Sequence, residues 1–319
     1  MPLFSGARIA LVLAVALCLA SEATAFQHEQ TAALGHAMRS VVSVLPDWAG
    51  RPPSAEEPEG SGVVVGDGRL VLTADHILGN PTSVRIRTLE GEIHAVRVFA
   101  RDGATDLALL AMEPQLPALH FAGEVAVGEP VCALGNAFGL GISATCGVVS
   151  AVDKSGTGFN DIEDFVQTDA AVNPGMSGGA LVDRDGNLVG LLSAIFTKRS
   201  DANIGVNFAV SAGLAEKALA RLRSGANVPW PALEARLRPH PARHETGRAG
   251  AAVLDVVPGS AAERSGLRPA DVIVEAGGRQ VRGPDDVAAA LALAAGEATL
   301  RLSVLRSDNI VMIEVAIGQ

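Results

Sequence analysis

The stretch Gly175-Met176-Ser177-Gly178-Gly179 sets a serine among glycines, and two upstream segments hold the other residue types a serine nucleophile needs. A serine hydroxyl is weakly nucleophilic at neutral pH and requires a base to take its proton. His76, at the end of Leu72-Thr73-Ala74-Asp75-His76, is the candidate base, and Asp106, in Thr105-Asp106-Leu107-Ala108-Leu109-Leu110, is the candidate carboxylate to orient it. The chemistry implied is acyl transfer, in which main-chain N–H groups meet the oxyanion of a tetrahedral intermediate. Flanking glycines let the backbone turn sharply enough to aim the amides of Gly175 and Ser177 at one point.

The chain order His, Asp, Ser is that of chymotrypsin-type triads rather than of the subtilisin or α/β-hydrolase kind. Positioning these groups requires rigid elements. Residues 62–73 alternate around Gly66-Asp67-Gly68 and predict a hairpin, so His76 follows a strand end. Asp106 precedes the apolar run Leu107 to Met112, where a buried carboxylate needs a hydrogen-bond donor such as an imidazole N–H. Asp75, Asp102 and Asp169 compete with Asp106 for this role. Short apolar runs separated by Gly, Pro and Asp recur through the first two thirds of the chain, as barrels require. A polar lead-in with helical character, 26–39, precedes a first strand at Ser40 to Leu45 and an exposed loop from Pro46 to Gly60. Ser211 is a candidate N-cap for a helix through Arg223 that stops at Gly225.

Together with Gly60-Ser61-Gly62-Val63-Val64, Ala133-Leu134-Gly135-Asn136-Ala137-Phe138-Gly139-Leu140, 167–175 and 203–210, these segments resemble the HtrA/Deg family of trypsin-like proteases over residues 38 to 319. The resemblance implies a mainly β fold: a chymotrypsin-like double β-barrel followed by a small α+β PDZ domain. It implies His76, Asp106 and Ser177 as the triad, Gly175 and Ser177 amides as the oxyanion hole, and a homo-trimer. One departure stands beside the nucleophile, where the family commonly has Asn and this chain has Met176. Met176 cannot pair with a freed N-terminal amine, and no Ile-Val-Gly-Gly activation sequence is present, so ordering of the loop by a ligand or neighbouring subunit is expected.

The 319 residues are enough for more than one folded unit, and the expected division is 1–25 signal peptide, 26–225 protease domain, 226–242 linker and 243–319 PDZ domain. Ile9 to Ala20 is too short to span a bilayer; with Arg8 before it and Ala23-Thr24-Ala25 after it, the segment reads as a secretory signal and predicts a periplasmic or secreted protein, an inner-membrane anchor being the alternative. A net charge of −10 argues against nucleic-acid binding. Cys132 and Cys146 flank a glycine-rich turn and are placed either to form a cross-strand disulfide or to remain as small buried thiols. No Cys/His spacing suggests a metal site, and the chemistry needs no cofactor.

Residues 256–273, from Val256-Val257-Pro258-Gly259 to Asp271-Val272-Ile273, resemble the PDZ domains attached to such proteases. A PDZ captures a peptide C-terminus as an added strand beside a helix. The helix is expected at Pro284 to Ala294, with Val287 and Leu291 either facing that groove or packing into the domain's own core; the carboxylate loop has its nearest candidate in 230–235. The specificity pocket is expected around Ala171, Ser193, Ala194 and Ile195, which carry no charge and so favour cleavage after small apolar residues. Such residues are buried in folded proteins, so the expected substrates are unfolded polypeptides. A peptide-activated signalling protease and a catalytically idle chaperone or scaffold are the alternatives.

Overall fold

The computed structural model describes residues 30–50, 60–195, 204–225, 229–241 and 248–317. The segment expected as a signal peptide lies outside these residues. After helix α1 (described over 30–39), strands β1 (Val41–Asp47), β2 (Gly60–Val65), β3 (Leu70–Ala74), β4 (Ser83–Arg87), β5 (Ile93–Asp102) and β6 (Leu107–Ala111) close a barrel in the order β1-β2-β3-β6-β5-β4. The expected hairpin is β2–β3, turning through Gly66 and Gly68 with the Arg69 amide donating to Asp67 Oδ1. β1 runs two residues beyond the predicted strand and includes Pro46. Pro46 falls where β1 pairs only with β4, after pairing with β2 has ended at Val44, so its missing N–H leaves no gap in a two-sided ladder.

A second closed barrel follows, from β7 (Pro130–Asn136), β8 (Ile142–Lys154), β9 (Phe165–Thr168), β10 (Ala180–Val182), β11 (Leu188–Ile195) and β12 (Asn207–Ser211), in the order β10-β11-β12-β9-β8-β7. Each barrel has its own apolar filling, and a third cluster built from both barrels and helix α2 (Ala212–Ser224) joins them. α2 is capped as expected: Ser211 Oγ accepts from the Leu214 amide, Gly225 takes a left-handed conformation, and Arg221 and Arg223 complement the dipole in its last turn.

The C-terminal domain is a sheet of β13 (Ala235–His240), β14 (Gly250–Val256), β15 (Val272–Ala276), β17 (Thr299–Arg306) and β18 (Asn309–Ala316), with the short β16 (Arg279–Gln280) on β15 and helices α3 (Ala261–Arg264) and α4 (Pro284–Leu293). This corrects the expected linker, because β13 lies within 226–242 yet pairs along its whole length with β14, and Leu233 belongs to the C-terminal core. Val287 and Leu291 are also inside that core, 1% and 4% exposed.

The two units are in contact. Arg279 bridges Asp153 and the buried Asp164, Ser155 Oγ donates to Asp286 at 2.7 Å, and Lys217 Nζ donates to the Ala295 carbonyl at 2.9 Å. Desolvation of a buried ion pair roughly offsets its attraction. Adhesion therefore comes from Ala292 and Leu293, which join the cluster shared by the barrels, while the ion pairs fix orientation.

Cys132 and Cys146 are register partners on β7 and β8 and form a disulfide, resolving the two alternatives. The bridge closes a loop of sequence separation 14. Replacing both cysteines by serine is expected to cost about 3 kcal/mol, a fall in Tm of roughly 6–12 °C by calorimetry, with no further loss on adding reductant.

Candidate active site

The turn between β3 and β4 presents His76, and the turn between β5 and β6 presents Asp106. Asp106 has φ 57°, a left-handed conformation that aspartate tolerates better than most residues. Its carbonyl accepts from the Asp75 amide at 2.9 Å, and its Oδ1 accepts from the His76 amide at 2.9 Å. Its Oδ2 meets His76 Nδ1 at 2.7 Å and accepts from Ser193 Oγ at 3.3 Å. The carboxylate thus holds both backbone and ring of His76, fixing the proton on Nδ1 and leaving Nε2 as acceptor. Its hydrogen bond holds the imidazole pKa above the ordinary histidine value of 6.5, with burial opposing. The His76 ring is 52% exposed while the Asp106 carboxylate is 14% exposed, so the base faces the cleft and its partner is sheltered.

The competing carboxylates are committed elsewhere. Asp75 pairs with Arg101, whose guanidinium also donates to the carbonyls of Gly79 and Asp75 and pins the histidine turn. Asp102 accepts from Thr105 Oγ1 and from Trp230 Nε1 at 3.0 and 2.8 Å, and Asp169 accepts from the Val148 amide at 2.7 Å.

Ser177 lies on the loop between β9 and β10. Its hydroxyl donates to the Ser193 carbonyl at 3.4 Å, and among the described residues it makes no bond to His76. Bonds between nucleophile and base are commonly loose before substrate binds. Gly175 and Gly178 have φ of 93° and 84°. A Cβ on Gly178 would come within 2.1 Å of the Ser61 carbonyl, so only glycine permits this approach of the loop to the first barrel. Among the described residues, the N–H groups of Gly175 and Ser177 donate to no protein acceptor.

Of the expected pocket residues, Ala171 is half-buried and its carbonyl accepts from Thr145 Oγ1 at 2.5 Å. Ser193 is 7% exposed with its hydroxyl turned to Asp106, so it contributes backbone to the nucleophile and a donor to the carboxylate rather than a side-chain wall. The side chains of Ala194 and Ile195 lie outside the described residues. Ser61 also belongs to the site, because its hydroxyl bonds this loop directly; its only mark in the sequence is the Gly60-Ser61-Gly62 triplet. Among the described residues no cluster of side chains is suited to a metal ion.

Residues 60–191 match the trypsin-like peptidase domain and residues 253–306 match the PDZ domain. The chain is 32% identical over 283 residues to a probable periplasmic serine endoprotease DegP-like of Chlamydia pneumoniae, covering 86% of this chain and 58% of that protein. It is 32% identical over 234 residues to the periplasmic serine endoprotease DegP of Escherichia coli strain K12, covering 70% of this chain and 49% of that protein. The chain therefore spans about half the length of these relatives. Among solved structures it is similar to the HtrA-type protease AlgW with tripeptide, at TM-score 0.69 and 28% identity, covering 91% of this chain and 96% of that one. A serine endoprotease from Yersinia pestis matches at TM-score 0.57 and 26% identity, covering 90% of this chain and 97% of that one. With two closed barrels, a His–Asp pair beside a glycine-rich serine loop and a C-terminal PDZ sheet, the chain belongs to the HtrA/Deg family of trypsin-like serine proteases.

Proposed function

We propose that the chain is a serine endopeptidase that cuts unfolded or misfolded polypeptides after small apolar residues. The observation that carries this reading is the two-point grip of Asp106 on His76 opposite the Ser177 loop. His76 Nε2 takes the Ser177 proton as Oγ attacks the scissile carbonyl, and Asp106 holds the resulting imidazolium. The Gly175 and Ser177 amides stabilise the oxyanion, His76 returns the proton to the leaving amine, and the acyl-enzyme is released by water with His76 again as base. The uncharged Ala171 supports an apolar preference in the pocket.

The C-terminal domain supplies a place for a peptide C-terminus. β13 is an edge strand, paired on one side with β14, and α4 packs close to it. A peptide added to this edge would run between β13 and α4, its carboxylate toward 230–234. Val287 and Leu291 then act from the floor as core residues, not as projecting contacts. Export to the periplasm is supported by the periplasmic relatives and by the N-terminal segment, and assembly as a trimer follows the family resemblance. Among the described residues no helix is long and apolar enough to cross a membrane.

Unfolded casein incubated with the chain lacking residues 1–25 is expected to give fragments ending in Val, Ala or Ile by mass spectrometry. Ser177→Ala should lower turnover by about 10⁶; cuts that persist in that variant, or that cluster after Lys or Arg, overturn the reading. Because His76 must be neutral to act and its pKa is raised, kcat/KM is expected to fall with acidification through a value above 6.5. Asp106→Asn removes the cause, moving that limb to lower pH while dropping kcat by about 10⁴. Fluorescent peptides with a free apolar C-terminus are expected to bind the full Ser177→Ala chain and to lose affinity when amidated. Equal binding of both forms would exclude carboxylate capture.

A further inference from the structure

We infer that Ser61 and Met176 are positioning residues that keep the carbonyls of the nucleophile loop turned away from the oxyanion hole. This deepens the protease reading and rests on it. A hole is spoiled when a peptide unit in its wall turns over and points a carbonyl, not an N–H, at the substrate oxygen. From Pro174 to Ser177 every carbonyl is drawn to a donor instead. Pro174 O accepts from the Phe138 amide at 2.7 Å, Gly175 O from Ser61 Oγ at 2.7 Å, Met176 O from the Gly179 amide at 2.9 Å, and Ser177 O from the Ser61 amide at 2.8 Å.

Ser61 alone supplies two of these donors. It is fully buried on β2, its Oγ accepts from the Asn136 amide at 2.9 Å, and its carbonyl accepts from Thr73 Oγ1 at 2.6 Å. The hydroxyl is thus aimed by its own acceptor bond, and one residue of the first barrel registers the nucleophile loop against β7 and against the strand leading to His76.

Met176 secures the same loop from the other side. Its side chain is 0% exposed within the filling of the second barrel, against residues such as Val131, Leu181 and Leu192. Gly135 makes this possible, since a Cβ there would stand 3.0 Å from Met176 Cα. Flipping the loop would withdraw this side chain from a packed interior and expose it. The anchor is apolar burial, and no ionised partner is required.

The test uses the full chain lacking residues 1–25, a chromogenic peptide substrate, a peptidyl boronate that forms a tetrahedral adduct at serine, and a product peptide as ground-state ligand. Ser61→Ala is expected to lower kcat by about 10- to 100-fold with KM within about twofold, a part of the loss seen when a hole donor is deleted. Boronate affinity should weaken by the same factor, product-peptide affinity should hold, and the acid limb governed by His76 should stay in place. Met176→Ala should behave likewise, while Met176→Leu, which keeps the volume, should stay within about threefold of the parent.

Unchanged kcat in Ser61→Ala, or equal weakening of boronate and product peptide, would each overturn the inference. If Met176→Ala fails to fold by circular dichroism, Ser61→Ala and Met176→Leu carry the comparison. A parent that neither cleaves substrate nor binds boronate, with or without an added peptide bearing an apolar C-terminus, would instead bring down the protease reading itself.

Discussion

An oxyanion and a peptide carbonyl carry charge of the same sign, so the wall of an oxyanion hole must turn each of its carbonyls away and keep two N–H groups free. The rest of this structure answers that requirement. The donors that take up the loop's carbonyls come from Phe138 at the tip of the β7–β8 hairpin, from Ser61 on β2 and from Gly179 at the approach to β10. The disulfide between Cys132 and Cys146 ties together the two strands whose turn carries Phe138.

The same logic governs the base. His76 is half-exposed and held by one carboxylate through ring and main chain, while the neighbouring carboxylates are consumed by structural partners. Trp230 extends this arrangement toward the C-terminal domain. Its indole N–H bonds Asp102, the Arg221 guanidinium lies over its ring at 4.2 Å, and Ala104 and Thr105, next to Asp106, receive bonds from Ile162 and Asn160. The segment entering the PDZ sheet and the loop facing α4 are thereby fastened to the turn that presents Asp106.

Much of this was legible from residue types and spacing because it is local. The β2–β3 hairpin follows from Gly-Asp-Gly between alternating apolar residues, α2 from a serine cap and a glycine stop, and the His–Asp pairing from an acidic residue opening a buried strand. What escaped is long-range or one-sided. β13 reads Ala-Arg-Leu-Arg-Pro-His, an edge strand half open to water whose apolar alternation is too weak to distinguish it from a linker. Ser193 reads as an uncharged pocket residue, but the direction of its hydroxyl depends on a carboxylate 87 residues away. Ser61 is 114 residues from the carbonyl it clamps, and nothing in a small polar residue between glycines reports such a partner.

The residue before the nucleophile brings these points together. An ion pair at that position, such as a freed N-terminal amine on an aspartate, ties the hole to a group that titrates near pH 8 and that must be created by chain cleavage. A methionine packed at zero exposure has no proton to lose. Its cost is a packing constraint: a side chain at 135 on β7 would press against Met176 Cα at 3.0 Å, and the filling there must match a flexible thioether, which is tolerant of irregular space. Substituting burial for charge leaves His76 as the group in this site whose protonation sets the working pH range, and it makes the integrity of the second barrel's core a condition for the chemistry at Ser177.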